Sequence, residues 1–285
     1  MEPNRISSSH TYRLGEDLAK GLRPPVRPSS VAVLIRTYPP TPTTVQAGDL
    51  FKVRLGAVTG DSDYFLLSEE RRLELRLPLE ALIPVVTRSR HLTSASISRQ
   101  EWNKIRDAGD RAYLFRPSLR RIIDLPSVNA YLQLPLVRGG CNKTAGWVKK
   151  RDPWYQVNVP NHPHGFMSGA SSNGPWIALN AMRDLVATNT LYVIQFEKTI
   201  TGKDATAACA LSLLTTFGRC QTTANTRTYP GGLKKLEPSG ISNVMLPVKQ
   251  RVDGAFEIYD QATKALLFGN AKLASELADD WFATK

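Results

Sequence analysis

Alternating apolar positions at Phe51, Val53 and Leu55 predict a half-buried strand, with Tyr64-Phe65-Leu66-Leu67 as its return beyond a turn holding Gly56 and Gly60. Ser68-Glu69-Glu70 ahead of Leu73, Leu75 and Leu77 reads as a capped helical turn that Pro78 ends. A weak helix over 103–108 and a strand over 111–115 follow, then a helix over 127–134 bearing Tyr131. Residues 147–159 and 176–179 read as strands, and 190–197, with Leu-Tyr-Val-Ile-Gln-Phe in sequence, is the plainest strand of all. Ala208, Leu211, Ser212, Leu214, Thr215 and Gly218 keep helical spacing, so 205–221 is expected as a helix, and the amphipathic stretches 256–268 and 271–282 form a closing pair with net acidic character. Strands that lead and helices that close predict an α+β fold with mixed or antiparallel sheets and a helical C-terminal part.

The segment 1–46 breaks this pattern. It is rich in Ser, Pro, Arg and Thr, and prolines at 24, 25, 28, 39, 40 and 42 keep it extended, with one short strand expected at 31–36. Two readings stand for this arm: a disordered leader, or a strap that lies on DNA or on a partner. The expected organisation is therefore an arm at 1–46, a main domain at 47–249, and a helical segment at 250–285 placed to meet a partner.

Charge narrows the class of partner. Lys and Arg number 37 against 25 Asp and Glu, a net charge of +12, which favours a polyanion because neutralised phosphates release their counterions. Within 103–151 the chain holds 11 Lys and Arg against 3 Asp, so the excess is local, although a solvated face would look the same. Three cysteines, Cys141, Cys209 and Cys220, form no C-x-x-C pair and suggest a reducing, cytoplasmic setting. No apolar run approaches the roughly 20 residues that cross a bilayer, so no membrane partner is expected.

Candidate catalytic chemistry is thin. Gly56 and Gly60 lack the G-x-G core of a cofactor loop, and neither Pro-Pro pair stands between an acid or amide and an aromatic ring. Asn161-His162-Pro163-His164 has two histidines in H-x-H spacing without a third ligand at hand, and neither a G-x-S-x-G elbow nor a P-loop occurs. No catalytic residue, no metal ligand and no cofactor-binding residue is nominated.

A resemblance organises the rest. Six fragments occur in order: Arg54-Leu55-Gly56-Ala57-Val58-Thr59-Gly60 with Tyr64-Phe65-Leu66-Leu67; Leu82-Ile83-Pro84-Val85-Val86 with Ser89-Arg90; Arg151-Asp152-Pro153-Trp154-Tyr155; Ile177-Ala178-Leu179-Asn180 with Thr188-Asn189; Ala210-Leu211-Ser212-Leu213-Leu214; and Gly231-Gly232-Leu233-Lys234-Lys235-Leu236-Glu237-Pro238. Together they resemble the target-recognition domain of gamma-class N6-adenine DNA methyltransferases of restriction-modification systems. The resemblance implies double-stranded DNA as partner. It also implies a separate catalytic subunit, as a heterodimer, that carries S-adenosylmethionine. This chain would be the non-catalytic specificity subunit; a stand-alone regulatory or architectural DNA-binding protein is the alternative.

The residues expected on DNA each have a physical reading. Arg54, Lys149, Lys150, Arg151, Arg219, Arg227, Lys234 and Lys235 offer cations to phosphates, and alanines at Lys234 and Lys235 are expected to weaken binding to every sequence. Thr59 offers a hydroxyl to a phosphate across a glycine turn, or belongs to a plain hairpin. Trp154 and Tyr155 form a groove wall or part of the core, while Tyr229 wedges or stacks. Asn180, Asn189 and Arg183 suit adenine and guanine edges if they face the major groove; turn and cap roles are the plainer reading for the two asparagines.

Overall fold

The computed structural model describes residues 43–170, 174–228 and 234–284. The expected strand at 31–36 and most of the arm at 1–46 lie outside them, as does Tyr229. In chain order the elements are β1 (Thr44–Gln46), α1 (Ala47–Leu50), β2 (Phe51–Leu55), α2 (Ser62–Phe65), β3 (Leu66–Leu67), α3 (Glu69–Glu74), β4 (Leu82–Val86), β5 (Ser96–Ile97) and α4 (Arg99–Asp107). Then come β6 (Tyr113–Phe115), α5 (Arg120–Ile123), α6 (Pro126–Leu132), β7 (Gly165–Met167), β8 (Ala178–Asn180), β9 (Val186–Ala187), β10 (Tyr192–Phe196) and α7 (Lys203–Ser212). The chain closes with α8 (Thr216–Ala224), β11 (Arg227–Thr228), β12 (Lys234–Lys235), α9 (Pro238–Ser242), β13 (Met245–Pro247), α10 (Ala255–Leu267) and α11 (Ala271–Ala283).

A five-stranded sheet in the order β2-β10-β7-β8-β5 and a four-stranded sheet in the order β3-β6-β4-β9 carry the core. Most pairs are antiparallel, while β4 with β9 and β5 with β8 run parallel, so the fold is α+β with mixed sheets. β10 lies between β2 and β7, and its Tyr192, Val193, Ile194 and Phe196 are all buried, which suits a strand covered on both faces. No helix among the described residues is long and apolar enough to cross a membrane.

Several expectations fall to tertiary structure. Residues 64–67 are not the return strand of β2: Asp61 caps α2 by accepting from the Tyr64 amide, and β3 pairs with β6 in the other sheet. The Gly56–Gly60 turn is thus a crossover between sheets and not a hairpin. The helix expected at 103–108 begins at Arg99, because Ser98 and Glu101 form a capping box that the sequence spells as S-x-x-E. The expected helix over 205–221 is two helices. Thr215 caps α8 by accepting from the Gly218 amide, and a Cβ at Gly218 would lie 2.2 Å from the Ser212 carbonyl oxygen, so the glycine lets the second helix start against the end of the first. Residues 147–159 form turns: Val148 and Val157 are buried anchors, and the charged run between them cannot alternate into a sheet.

Contacts cross both expected domain boundaries. β1 pairs with β13, so the arm ends before Thr44. At the other end 250–285 is integral to the fold: α10 packs on α7 and α11, the Tyr259 hydroxyl bonds both backbone groups of Ile177, and Asp279 accepts from the amide and hydroxyl of Thr216. The Lys249 ammonium itself donates to the Trp281 carbonyl at 2.8 Å, tying together the two sides of the expected boundary.

One buried histidine is expected to make the fold acid-sensitive. The His91 Nδ1 accepts from the Thr87 amide at 3.3 Å, and its Nε2 lies 3.3 Å from Asp110. Burial holds the imidazole below its ordinary value; Asp110 pulls it upward, while Arg90 and Arg88 add to the depression. As pH falls through about 6.5 the unfolded chain takes up a proton that the fold resists, so stability falls with acidification. The melting temperature is expected to drop between about pH 7 and pH 5. His91→Gln should melt lower throughout but with a flatter dependence, and a slope unchanged by the substitution would assign the loss to another group.

Candidate nucleic-acid interface

β2 ends where β10 begins and where β7 ends, since Leu55 pairs with Tyr192 and Tyr192 with Met167. Three segments therefore meet at one end of the five-stranded sheet: the crossover 56–61, the turn 188–191, and the stretch after Met167. Gly56 is what lets them meet. A Cβ there would lie 2.2 Å from the Thr188 carbonyl oxygen and 2.5 Å from that of Ala187, and the next residue, Ala57, bridges to Thr188.

Two further segments dock on the same end. Arg151 donates to the Val58 and Thr59 carbonyls at 2.6 Å each, and the Asn142 amide donates to Asp61 at 2.8 Å, fastening 142–151 onto the crossover. The Leu236 amide donates to the Gly169 carbonyl at 2.9 Å, which brings in the β11–β12 hairpin. Exposed Arg54, Lys149, Lys150, Asn189 and Arg227 are gathered here from separate parts of the chain. In the hairpin Arg227 stands opposite Lys235, a like-charge pair that a polyanion would relieve, while Lys235 also pairs with Glu237 at 3.2 Å. Lys234 sits in the same hairpin, paired in register with Thr228.

Arg219 lies in a cleft beside this end. About 310 Å³ in volume, the cleft is lined by Arg219, Thr222, Thr223, Thr226, Thr228 and Ser168 among others. Burial lowers the guanidinium from its ordinary value. Thr222 and Thr223 donate to the Arg219 carbonyl, and Thr226 to that of Thr222, so these hydroxyls keep lone pairs to accept with while Arg219 supplies donors.

The remaining nominated residues have other work. Thr59 is buried at 6% exposure and Arg151 is spent on the two carbonyls, so both build the crossover and neither faces a phosphate. Trp154 packs with Tyr64 and Phe65, and Tyr155 sits edge-on to Trp154, which makes this pair an extension of the core. Asn180 donates to the Pro163 and Leu185 carbonyls and accepts from the Met182 amide, and it lies with Arg183 at the opposite end of the sheet. His164 is equally structural, its Nδ1 accepting from the Phe196 amide at 2.9 Å. Sequence reasoning passed over Lys143, whose ammonium lies 4.6 Å from the Trp154 ring centroid, and Trp147, 58% exposed with Lys150 at 5.2 Å. The signal was available, since Trp147 precedes Lys149-Lys150 by two residues.

Residues 29–279 match the family described as Type II methyltransferase M.Eco57I, C-terminal domain. The chain belongs to this family. It is also similar to the Type II methyltransferase M.XamI of Xanthomonas campestris pv. amaranthicola, with 24% identity over 224 residues that cover 71% of this chain and 36% of that relative. The chain thus spans little more than a third of that relative's length. Among solved structures it resembles the type IIG restriction endonuclease BpuSI, at 14% identity and a TM-score of 0.49 over 84% of this chain and 31% of that one. The Type IIL restriction-modification enzyme MmeI, solved in complex with DNA, gives 13% identity and 0.48 over 86% and 34%.

For a domain of the M.Eco57I family, S-adenosylmethionine is the cofactor to test against these residues. They do not fit it. The space a glycine opens to a cofactor is filled at Gly56 by the Ala187 and Thr188 backbone and at Gly60 by Trp147 and Val148, so the crossover makes no cradle.

Proposed function

We propose that this chain is the DNA-recognition element of an N6-adenine methyltransferase. It binds duplex DNA and sets the target sequence for a separate catalytic polypeptide that carries S-adenosylmethionine. The observation that supports this most is the gathering of Arg54, Lys149, Lys150, Asn189 and Arg227 at one sheet end in a chain belonging to a methyltransferase C-terminal-domain family. Cations from several elements on a common end can follow a phosphate backbone, and fixed backbone contacts set register and orientation before any base is read. Asn189, and the donor-plus-acceptor lining of the Arg219 cleft, supply the hydrogen-bond types that distinguish base edges.

In this reading the chain grips phosphates and reads bases while the catalytic polypeptide extracts the adenine, whose exocyclic amine is out of reach inside the duplex. The tip of the α10–α11 hairpin supports a partner role for the C-terminal pair: Phe268 is 89% exposed there, beside partly exposed Leu267 and Leu273. Methyl transfer from labelled S-adenosylmethionine to duplex DNA tests the whole reading, with this chain alone, the catalytic polypeptide alone, and both together. Activity in the mixture only is expected. Activity from this chain alone would overturn the reading, and DNA binding without activity in any mixture would favour a stand-alone DNA-binding protein.

A further inference from the structure

We infer that the turn at Leu136–Arg138 is an apolar wedge that enters the base stack of bound DNA. The inference rests on the DNA-binding reading above. Leu136 is 61% exposed and Val137 is 93% exposed, side by side at the apex of a single helical turn. Water is a poor environment for two adjacent branched side chains, and a surface that displays them has a use for them.

The turn is built to hold its shape. Pro135 fixes its entry, and the Pro135 carbonyl accepts from the amides of both Arg138 and Gly140, at 2.9 and 3.0 Å. Gly139 closes the turn at φ +86°, and Gly140 follows at a site where a Cβ would lie 1.8 Å from the Leu134 carbonyl oxygen. A stiff apex loses little conformational freedom on insertion, which a floppy loop would.

Charge says what it enters. From Leu125 to Arg151 the chain carries five Lys and Arg and no Asp or Glu. Arg138 adjoins the apex, and Lys143, Lys149 and Lys150, all exposed, follow it in the chain. Asn142, a few residues beyond the turn, is fastened to Asp61 on the crossover, so the segment that leaves the wedge is anchored at the same sheet end as the candidate interface. An apolar tip in a segment whose charges are all positive suits a stacked polyanion: side chains of this kind open base steps while cations hold the flanking phosphates.

The test compares the full chain's affinity for a short duplex with its affinity for the same duplex carrying one abasic site. At that site part of the unstacking cost is already met, so the wild-type chain should bind about tenfold tighter there. The Leu136→Ser/Val137→Ser double variant should bind both duplexes alike. Leu136→Met/Val137→Ile should keep the preference, because insertion needs only apolar bulk. Melting temperatures check that each variant is folded, as the exposed positions lead one to expect. Wild-type binding without preference, or a serine variant that keeps it, overturns the wedge while leaving DNA binding in place. No binding to either duplex removes the wedge together with the DNA-binding reading. A serine variant that keeps the preference but fails to join the catalytic polypeptide assigns the apex to a protein interface instead.

Discussion

Tyr259→Ala should cost roughly 3–5 kcal/mol, a large share of what holds a domain together. Tyr259 has no exposure at all, and it sits on α10 where that helix packs against α7 and α11. Its hydroxyl accepts from the Ile177 amide at 3.2 Å and donates to the Ile177 carbonyl, filling both bonding positions of the residue that leads into β8. Alanine removes the ring and strands both backbone groups. Phenylalanine keeps the ring, so Tyr259→Phe should cost only about 1–3 kcal/mol, the penalty of leaving buried polar groups unpaired. Urea unfolding followed by tryptophan fluorescence measures both. The same physics predicts that a chain cut after residue 249 will not unfold cooperatively, because the cut removes Tyr259, Asp279 and the Trp281 carbonyl that Lys249 holds. A sharp transition in the truncated chain would make the helix pair an appendage after all.

Replacing Arg54, Lys149 and Lys150 together by alanine should change DNA binding more than any other surface substitution. Every phosphate that goes unneutralised flattens the dependence of log affinity on log salt by about 0.9, so three should flatten it by nearly three. The effect should be the same for every duplex sequence, because phosphates carry no sequence information. Asn189→Ala is the complement: a base-reading residue alters preference among sequences with little change in salt slope. Titrations at several salt concentrations decide. An unchanged slope in the triple variant would move the interface elsewhere, whereas loss of folding is not expected, since all three residues are exposed.

What the sequence made legible follows from how local each signal is. β10 stood out as a short, nearly continuous apolar run, and the pair α10–α11 by apolar positions at helical spacing. The break between α7 and α8 was hidden, since Leu211, Leu214 and Gly218 keep helical spacing across it. The Thr215 cap and the closeness of Gly218 to the Ser212 carbonyl show that the chain turns. Residues 64–67 follow β2 and a glycine turn as a hairpin's second strand would, and nothing local says that their partner is β6. The same limit governs the site. Lys149, Lys150 and Arg151 are equivalent in sequence, yet two face solvent and one ties the crossover to its neighbour, one terminal guanidinium nitrogen donating to two adjacent carbonyls. Asn180 and Asn189 likewise look alike in the chain and lie at opposite ends of a sheet.

The docking of Gly56 against Ala187 and Thr188 joins the two sheets at the point where the candidate interface stands. Most surface loops tolerate inserted residues, since their ends are anchored and their middles are free. This crossover has no free middle: Gly56 lies on backbone, Gly60 lies against Trp147 and Val148, and the carbonyls of Val58 and Thr59 are held by Arg151. Lengthening it by one residue would shear one sheet against the other. In the reading proposed above, a change of target sequence is therefore expected from exchanged side chains on a frame of constant length.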